Sequence, residues 1–137
     1  MYLQQKCNLK KSKKKYLFAG LGTMGFPMAG HLSSKDDCDI YVFNRTNIVS
    51  TRWIKKYKGI QIKSLSDLSI KFDGVITCLK DDSSIKSILI STKLHESIKT
   101  NGFILDHSTT SLDLVDSISN DPNLQNKNCL LYTSDAA

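Results

Sequence analysis

Apolar residues in this chain fall into short unbroken clusters, separated by stretches in which they recur every three or four positions. The clusters are "YLFAG" (16–20), "DIYVFN" (39–44), "IQI" (60–62), "DGVITCL" (73–79) and "GFILDHS" (102–108). Runs of this length, bounded by Gly, Asp or Ser, predict strands covered on both faces. The intervening stretches predict helices. "TMGFPMAGHLSS" (23–34) places Met24, Met28 and Leu32 at i, i+4, i+8, with Pro27 in the opening turns where a missing N–H costs least. Thr46 is a candidate cap for "IVSTRWIKKYK", which Gly59 would end. "SLSDLSIKF" (64–72) predicts a short helix capped by Ser64 or Ser66. "DDSSIKSILIS" (81–91) opens with acids, as a helix N-terminus prefers, and Ser111 is placed to cap "LDLVDSIS".

Strand and helix in regular alternation predict a parallel sheet with right-handed crossover helices, a doubly wound α/β domain. In such a sheet the ligand crevice lies outside the carboxyl ends of the strands. Gly20–Gly25, Asn44–Thr46, Leu79–Lys80 and Asp106–Thr109 all fall at predicted strand ends, so four separate segments converge on one edge.

The first of them is G-x-G-x-x-G, formed by Gly20, Gly22 and Gly25 between a strand and a helix. This is the context in which the pattern marks a Rossmann-type dinucleotide site. The first glycine permits the tight turn, the second leaves the backbone bare for a diphosphate, and the third lets the helix pack on the strand. The helix N-terminus then offers N–H groups to phosphate. Leu21, Thr23 and Met24 complete the candidate loop. Twenty-two residues after Gly22, where a carboxylate would bond the ribose 2′-hydroxyl of NAD, stands Asn44, followed by Arg45 and Thr46. A guanidinium holds a 2′-phosphate with two parallel bonds, so this pair favours NADP(H) over NAD. Thr46 either adds a hydroxyl bond or caps the next helix.

Together these residues resemble the β-hydroxyacid dehydrogenase family, which includes 3-hydroxyisobutyrate dehydrogenases and glyoxylate/succinic semialdehyde reductases. "FAGLGTMGFPMAGHL" is similar to its cofactor motif, with Thr23, Met24, Pro27, Met28 and Ala29 matching beyond the glycines. "VFNRT" (42–46), "VITCLKDD" (75–82) and "GFILDHSTTS" (102–111) resemble its second-strand, fourth-strand and D-x-S-T segments. The resemblance covers about residues 15–120. It implies a reductase or dehydrogenase passing hydride between NADP(H) and a small carboxylate-bearing hydroxyacid or aldehyde. It implies that Ser108 hydrogen-bonds the substrate, that Thr109 lies against the nicotinamide end of the cofactor and contributes to substrate binding, and that Leu79 and Lys80 line the nicotinamide pocket. Asp106 is expected to organise its loop. Lys80 stands where the family has proline, and His31 where it has asparagine. The family's later glycine-rich motif, catalytic lysine and all-helical second domain have no counterpart here. The chain is therefore expected to be an N-terminal cofactor-binding part without a catalytic residue of its own. Homo-oligomers are expected only of a full-length protein.

Charge refines the domain division. Of 19 basic residues, six lysines lie in the first fifteen positions, leaving 13 against 13 acids in the remainder. Residues 1–14 are expected to be a disordered basic leader, 15–128 the cofactor domain, and 129–137 ("CLLYTSDAA") an atypical tail foreign to the family. A second reading is a non-catalytic NADP-binding scaffold whose lysine leader meets a polyanion; nucleic acid is not the expected partner of the domain itself. No apolar run is long enough to span a bilayer, no h-region follows the lysines, and a cytoplasmic location is expected, with a mitochondrial or nuclear one left open. Cys7, Cys38, Cys78 and Cys129 have no metal or redox spacing and are read as inert thiols. His31, His95 and His107 likewise show no metal spacing and suggest no catalytic triad.

Overall fold

The computed structural model describes residues 12–66, 68–108 and 110–131. It contains six parallel strands: β1 (Lys14–Ala19), β2 (Cys38–Phe43), β3 (Ile60–Gln61), β4 (Phe72–Thr77), β5 (Ile98–Asp106) and β6 (Asn128–Leu131). Four helices connect them: α1 (Gly25–Ser33), α2 (Asn47–Lys56), α3 (Asp82–Leu89) and α4 (Leu112–Ser119). The strand order is β3-β2-β1-β4-β5-β6, the doubly wound arrangement that the alternation predicts. The chain direction across the sheet reverses between β1 and β4, and this switch point opens a crevice at the carboxyl edge.

Period-two alternation along each strand divides the core into two layers. Leu17 and Ala19 of β1 join Val75, Ile104, Ile85, Leu89, Leu114 and Ile118 under α3 and α4. Phe18 joins Ile40, Val42, Ile76, Ala29 and Trp53 under α1 and α2. Trp53 is fully buried, and its indole N–H donates to the Phe26 carbonyl at 3.1 Å, tying α2 to α1.

Several expectations are corrected. Residues 64–71 form no helix among the described positions. The Ser66 N–H donates to Ser64 Oγ at 3.2 Å, a local turn that competes with helix bonding, and Leu65 is buried as an irregular anchor. The fifth strand starts at Ile98, four residues before Gly102. Polar Lys99, Thr100 and Asn101 obscured it, because pairing runs from Phe72↔Ile98 straight to Gly74↔Phe103 across an irregularity. A short 3₁₀ helix, Leu94–Ser97, precedes it.

Helix α1 starts at Gly25, not Thr23. Met24 is 67% exposed, so the buried side of the helix is Gly25, Ala29 and Gly30 rather than the methionine line. Lys14, assigned to the leader, is the first residue of β1, in register with Cys38. Cys129, Leu130 and Leu131, assigned to a foreign tail, pair with Ile104, Leu105 and Asp106 in β6. Residues 1–11, Asp67, Thr109 and 132–137 lie outside the described residues. The leader, the end of the tail and the Thr109 assignment therefore fall on them wholly or in part.

Candidate functional site

A cavity of about 540 Å³ opens at the carboxyl edge of the sheet. Its wall draws on the ends of four adjacent strands. Lys63 follows β3; Asn44, Arg45 and Thr46 follow β2; Gly20 and Gly22 follow β1; Cys78, Leu79 and Lys80 follow β4. The far wall is α3, with Ser83, Ser84, Ser87 and Ile88.

The glycine turn is built by two different kinds of constraint. Gly20 has φ +102°, and a Cβ there would lie 2.2 Å from the Cys78 carbonyl oxygen. A Cβ on Gly25 would lie 2.0 Å from the Gly20 carbonyl oxygen. These two glycines are required by the protein's own packing. At Gly22 a Cβ would meet nothing within 4 Å. Its bare backbone answers no internal crowding and leaves open space at the wall of the cavity.

The N–H groups around it are also uncommitted. Gly20 donates to the Phe43 carbonyl at 2.9 Å, and Leu21 donates to Asn44 Oδ1 at 2.9 Å. The N–H groups of Gly22, Thr23 and Met24 have no acceptor among the described residues. Three free donors before a helix N-terminus form a cradle for an anion. The residues therefore fit the diphosphate of a dinucleotide.

The end of β2 presents no carboxylate. Asn44 is committed to the turn: its Oδ1 accepts from Leu21, and its Nδ2 donates to the Thr46 carbonyl at 3.1 Å. Thr46 occupies the cap position of α2 without a side-chain capping bond, and its residue lines the cavity instead. Arg45 also lines it. Asp81, beside the cavity, caps α3 by accepting from the Ser84 N–H at 2.8 Å and hydroxyl at 2.7 Å. Those bonds hold its carboxyl below the usual range, and the charges of Lys80 and Arg45 help.

The fifth strand end is tied down from below. Asp106 is fully buried and Oδ1 accepts from Thr77 Oγ1 at 2.7 Å and the Ser108 N–H at 3.0 Å, so it organises the loop as expected. Its Oδ2 has no partner among the described residues. Ser108 is 2% exposed, and its Oγ accepts from the Leu79 N–H at 2.6 Å. The structure thus places Ser108 behind Leu79, joining the ends of β4 and β5, rather than on the cavity wall. Ser111 caps α4 and also bonds Asp82, joining the starts of α3 and α4.

Of the predicted cofactor residues, Gly20, Gly22, Asn44, Arg45, Thr46, Leu79 and Lys80 meet at the cavity. Leu21 is buried in the core, and Gly25 packs on Gly20. Thr23 and Met24 are exposed beside the turn. Lys63, Ser64, Ser66 and the serines of α3 were not anticipated. The rule that found the other segments would have found Lys63, since it directly follows the predicted third strand.

Burial pushes the Cys38, Cys78 and Cys129 thiols above their ordinary value, which disfavours the reactive thiolate. Among the described residues no group of three or more His, Cys, Asp or Glu side chains is placed to hold a metal. Nor is any helix among them long and apolar enough to cross a membrane.

The description of the NAD-binding domain of 6-phosphogluconate dehydrogenase matches residues 15–131. The chain belongs to this family. The match runs through β6, which removes residues 129–131 from the supposed foreign tail. An uncharacterized oxidoreductase of Shewanella frigidimarina (strain NCIMB 400) is 34% identical over 106 residues, 77% of this chain and 36% of that protein. Mycobacterium tuberculosis 3-hydroxyisobutyrate dehydrogenase, solved with L-serine, superposes with a TM-score of 0.70 at 18% identity. That match covers 87% of this chain and 39% of the other. A reductive aminase from Aspergillus terreus in complex with NADPH and ethyl levulinate gives a TM-score of 0.64 at 15% identity, over 88% of this chain and 40% of that one. The chain therefore spans well under half the length of these proteins. It is an NAD(P)-binding domain of an oxidoreductase family.

Proposed function

We propose that this domain binds NADP(H) as the cofactor part of an oxidoreductase of small β-hydroxyacids or the matching aldehydes. The reaction type is that of 3-hydroxyisobutyrate dehydrogenase or glyoxylate/succinic semialdehyde reductase. One observation carries the cofactor choice: the cavity wall at the end of β2 holds Arg45 and the uncapping Thr46, and no carboxylate among the described residues. A carboxylate there would repel a 2′-phosphate, whereas a guanidinium forms charge-assisted bonds to it of about 1.5–3 kcal/mol each.

The bound cofactor would supply a hydride at its nicotinamide. Everything else falls to the protein. The N–H groups of Gly22, Thr23 and Met24 hold the diphosphate at the switch point. Arg45 and Thr46 hold the adenosine ribose over β2. Leu79 and Lys80 flank the nicotinamide half over β4. Ser108, through the Leu79 N–H, fixes the height of that wall and so orients the nicotinamide indirectly. Thr109 remains the candidate for direct contact at the substrate end. Proton transfer to the forming alkoxide requires a positioned acid. We assign that acid, and the groups that select the substrate, to parts of a longer chain.

The test is fluorescence titration of the 137-residue chain with NADPH and with NADH. NADPH is expected to bind at least about tenfold more tightly, and Arg45→Ala to remove most of that difference. Equal affinities in the native chain would overturn the NADP assignment.

A further inference from the structure

The crevice carries a cation that the glycine turn and the end of β2 do not account for. Lys63 lines the same cavity as Arg45. Strand β3 pairs with β2 through Tyr41↔Ile60 and Val42↔Gln61, and the Ile62 N–H donates to the Val42 carbonyl at 2.8 Å. That register, continued two residues past Gln61, brings Lys63 level with Asn44, one strand further from the switch point than Arg45. The order of cations along the sheet edge is therefore Lys63, Arg45, the glycine turn and Lys80. A dinucleotide whose diphosphate lies on the turn has its adenosine end on the Lys63 and Arg45 side and its nicotinamide end on the Lys80 side.

The three cations do not have the same surroundings. Asp81 lies within electrostatic range of Arg45 and Lys80. Lys63 is exposed, and its side chain enters no ion pair or hydrogen bond among the described residues. No Asp or Glu is among the described residues that line the cavity. Ser64 and Ser66 lie beside Lys63 on the same wall. An exposed ammonium with no ion pair among the described residues, with hydroxyl neighbours and a guanidinium on the wall of the same cavity, matches a phosphomonoester with a charge near −2 at neutral pH.

We propose that Lys63 is a second specificity-determining residue for the phosphate on the adenosine ribose, meeting the oxygens that Arg45 leaves free. Arg45 supplies the planar fork, and Lys63 a point charge from the opposite side. The inference rests on the NADP reading of the site. It adds that discrimination is shared between the ends of two strands, one of which carries no recognised motif.

The experiment compares the native chain with Lys63→Met, titrated with NADPH and NADH at the same ionic strength. NADPH affinity is expected to fall roughly five- to tenfold, with NADH affinity changed less than about twofold. The unchanged NADH binding also reports an intact pocket. A preference for NADPH that survives undiminished in Lys63→Met overturns the Lys63 assignment alone. An equal loss for both cofactors also overturns it, since Lys63 would then serve the diphosphate or the fold. A native chain without preference overturns both this proposal and the reading beneath it.

Discussion

The three glycines of the turn look equivalent in sequence, yet they answer to different forces. Gly20 combines φ +102° with a carbonyl 2.2 Å from its missing Cβ, so Gly20→Ala strains backbone and packing together. A loss of about 3 kcal/mol or more is expected, seen as a drop in the thermal midpoint. Gly22→Ala meets open space. Its thermal midpoint is expected to stay within about two degrees of the native value. NADPH affinity should nevertheless fall by about tenfold or more, because the methyl occupies the space a diphosphate needs. A Gly22→Ala variant that melts early but binds normally would contradict this division. Asn44 shows a similar split: the residue that replaces a ribose-binding acid spends its oxygen on the Leu21 N–H and holds the turn in place.

At the scale of elements, one carboxylate ties three strands together at the edge opposite the crevice. Asp73 of β4 accepts from the Lys15 N–H of β1 at 2.8 Å and from Lys99 Nζ of β5 at 3.0 Å, with Lys14 Nζ at 3.7 Å. Burial alone would raise its pKa; the Lys15 bond and the lysine charges outweigh that and lower it below 3.8. A depressed folded value means the charged form stabilises the fold above the ordinary carboxylate pKa. That contribution is complete at neutral pH and is lost as pH falls through the depressed value. Asp73→Asn is therefore expected to cost about 1 kcal/mol in urea unfolding at pH 7. The gap to the native chain should begin to narrow below about pH 4 and close at lower pH. A gap that is constant from pH 7 to pH 3 would mean that the charge contributes nothing.

For the whole molecule, the distribution of charge matters more than its total. The net +6 reflects the six lysines of the first fifteen residues, whereas the crevice has its own local excess in Arg45, Lys63 and Lys80. A cofactor that binds only the folded chain adds about 2.7 kcal/mol at a hundredfold excess over Kd. For a domain of this size that raises the thermal midpoint by roughly 10 °C. NADPH is expected to give a larger shift than NADH at equal concentration, and 0.5 M salt should narrow the difference by screening the exposed cations. Equal shifts that ignore salt would place the recognition elsewhere than on these side chains.

Much of this was legible along the chain. Continuous apolar runs such as "DGVITCL" have few alternatives to a strand covered on both faces, and a glycine turn between strand and helix restricts what can approach it. Segments governed by distant partners were not legible. Residues 64–71 carry apolar residues at helix-like spacing but are held as an irregular anchor by Leu65 in the core. Lys99–Asn101 are polar yet continue a strand. Ser108 matches a substrate motif, but only the fold reveals that its oxygen is taken by Leu79, 29 residues away. Local spacing alone determined the strand–helix alternation, the turn and the charge at the end of the second strand, because those depend on neighbours within a few residues. Which strands lie side by side was decided only in three dimensions, and with it the arrival of Lys63 and Arg45 at one cavity. Pairing between segments far apart in sequence is set by the packing of two core layers, and no local pattern encodes it.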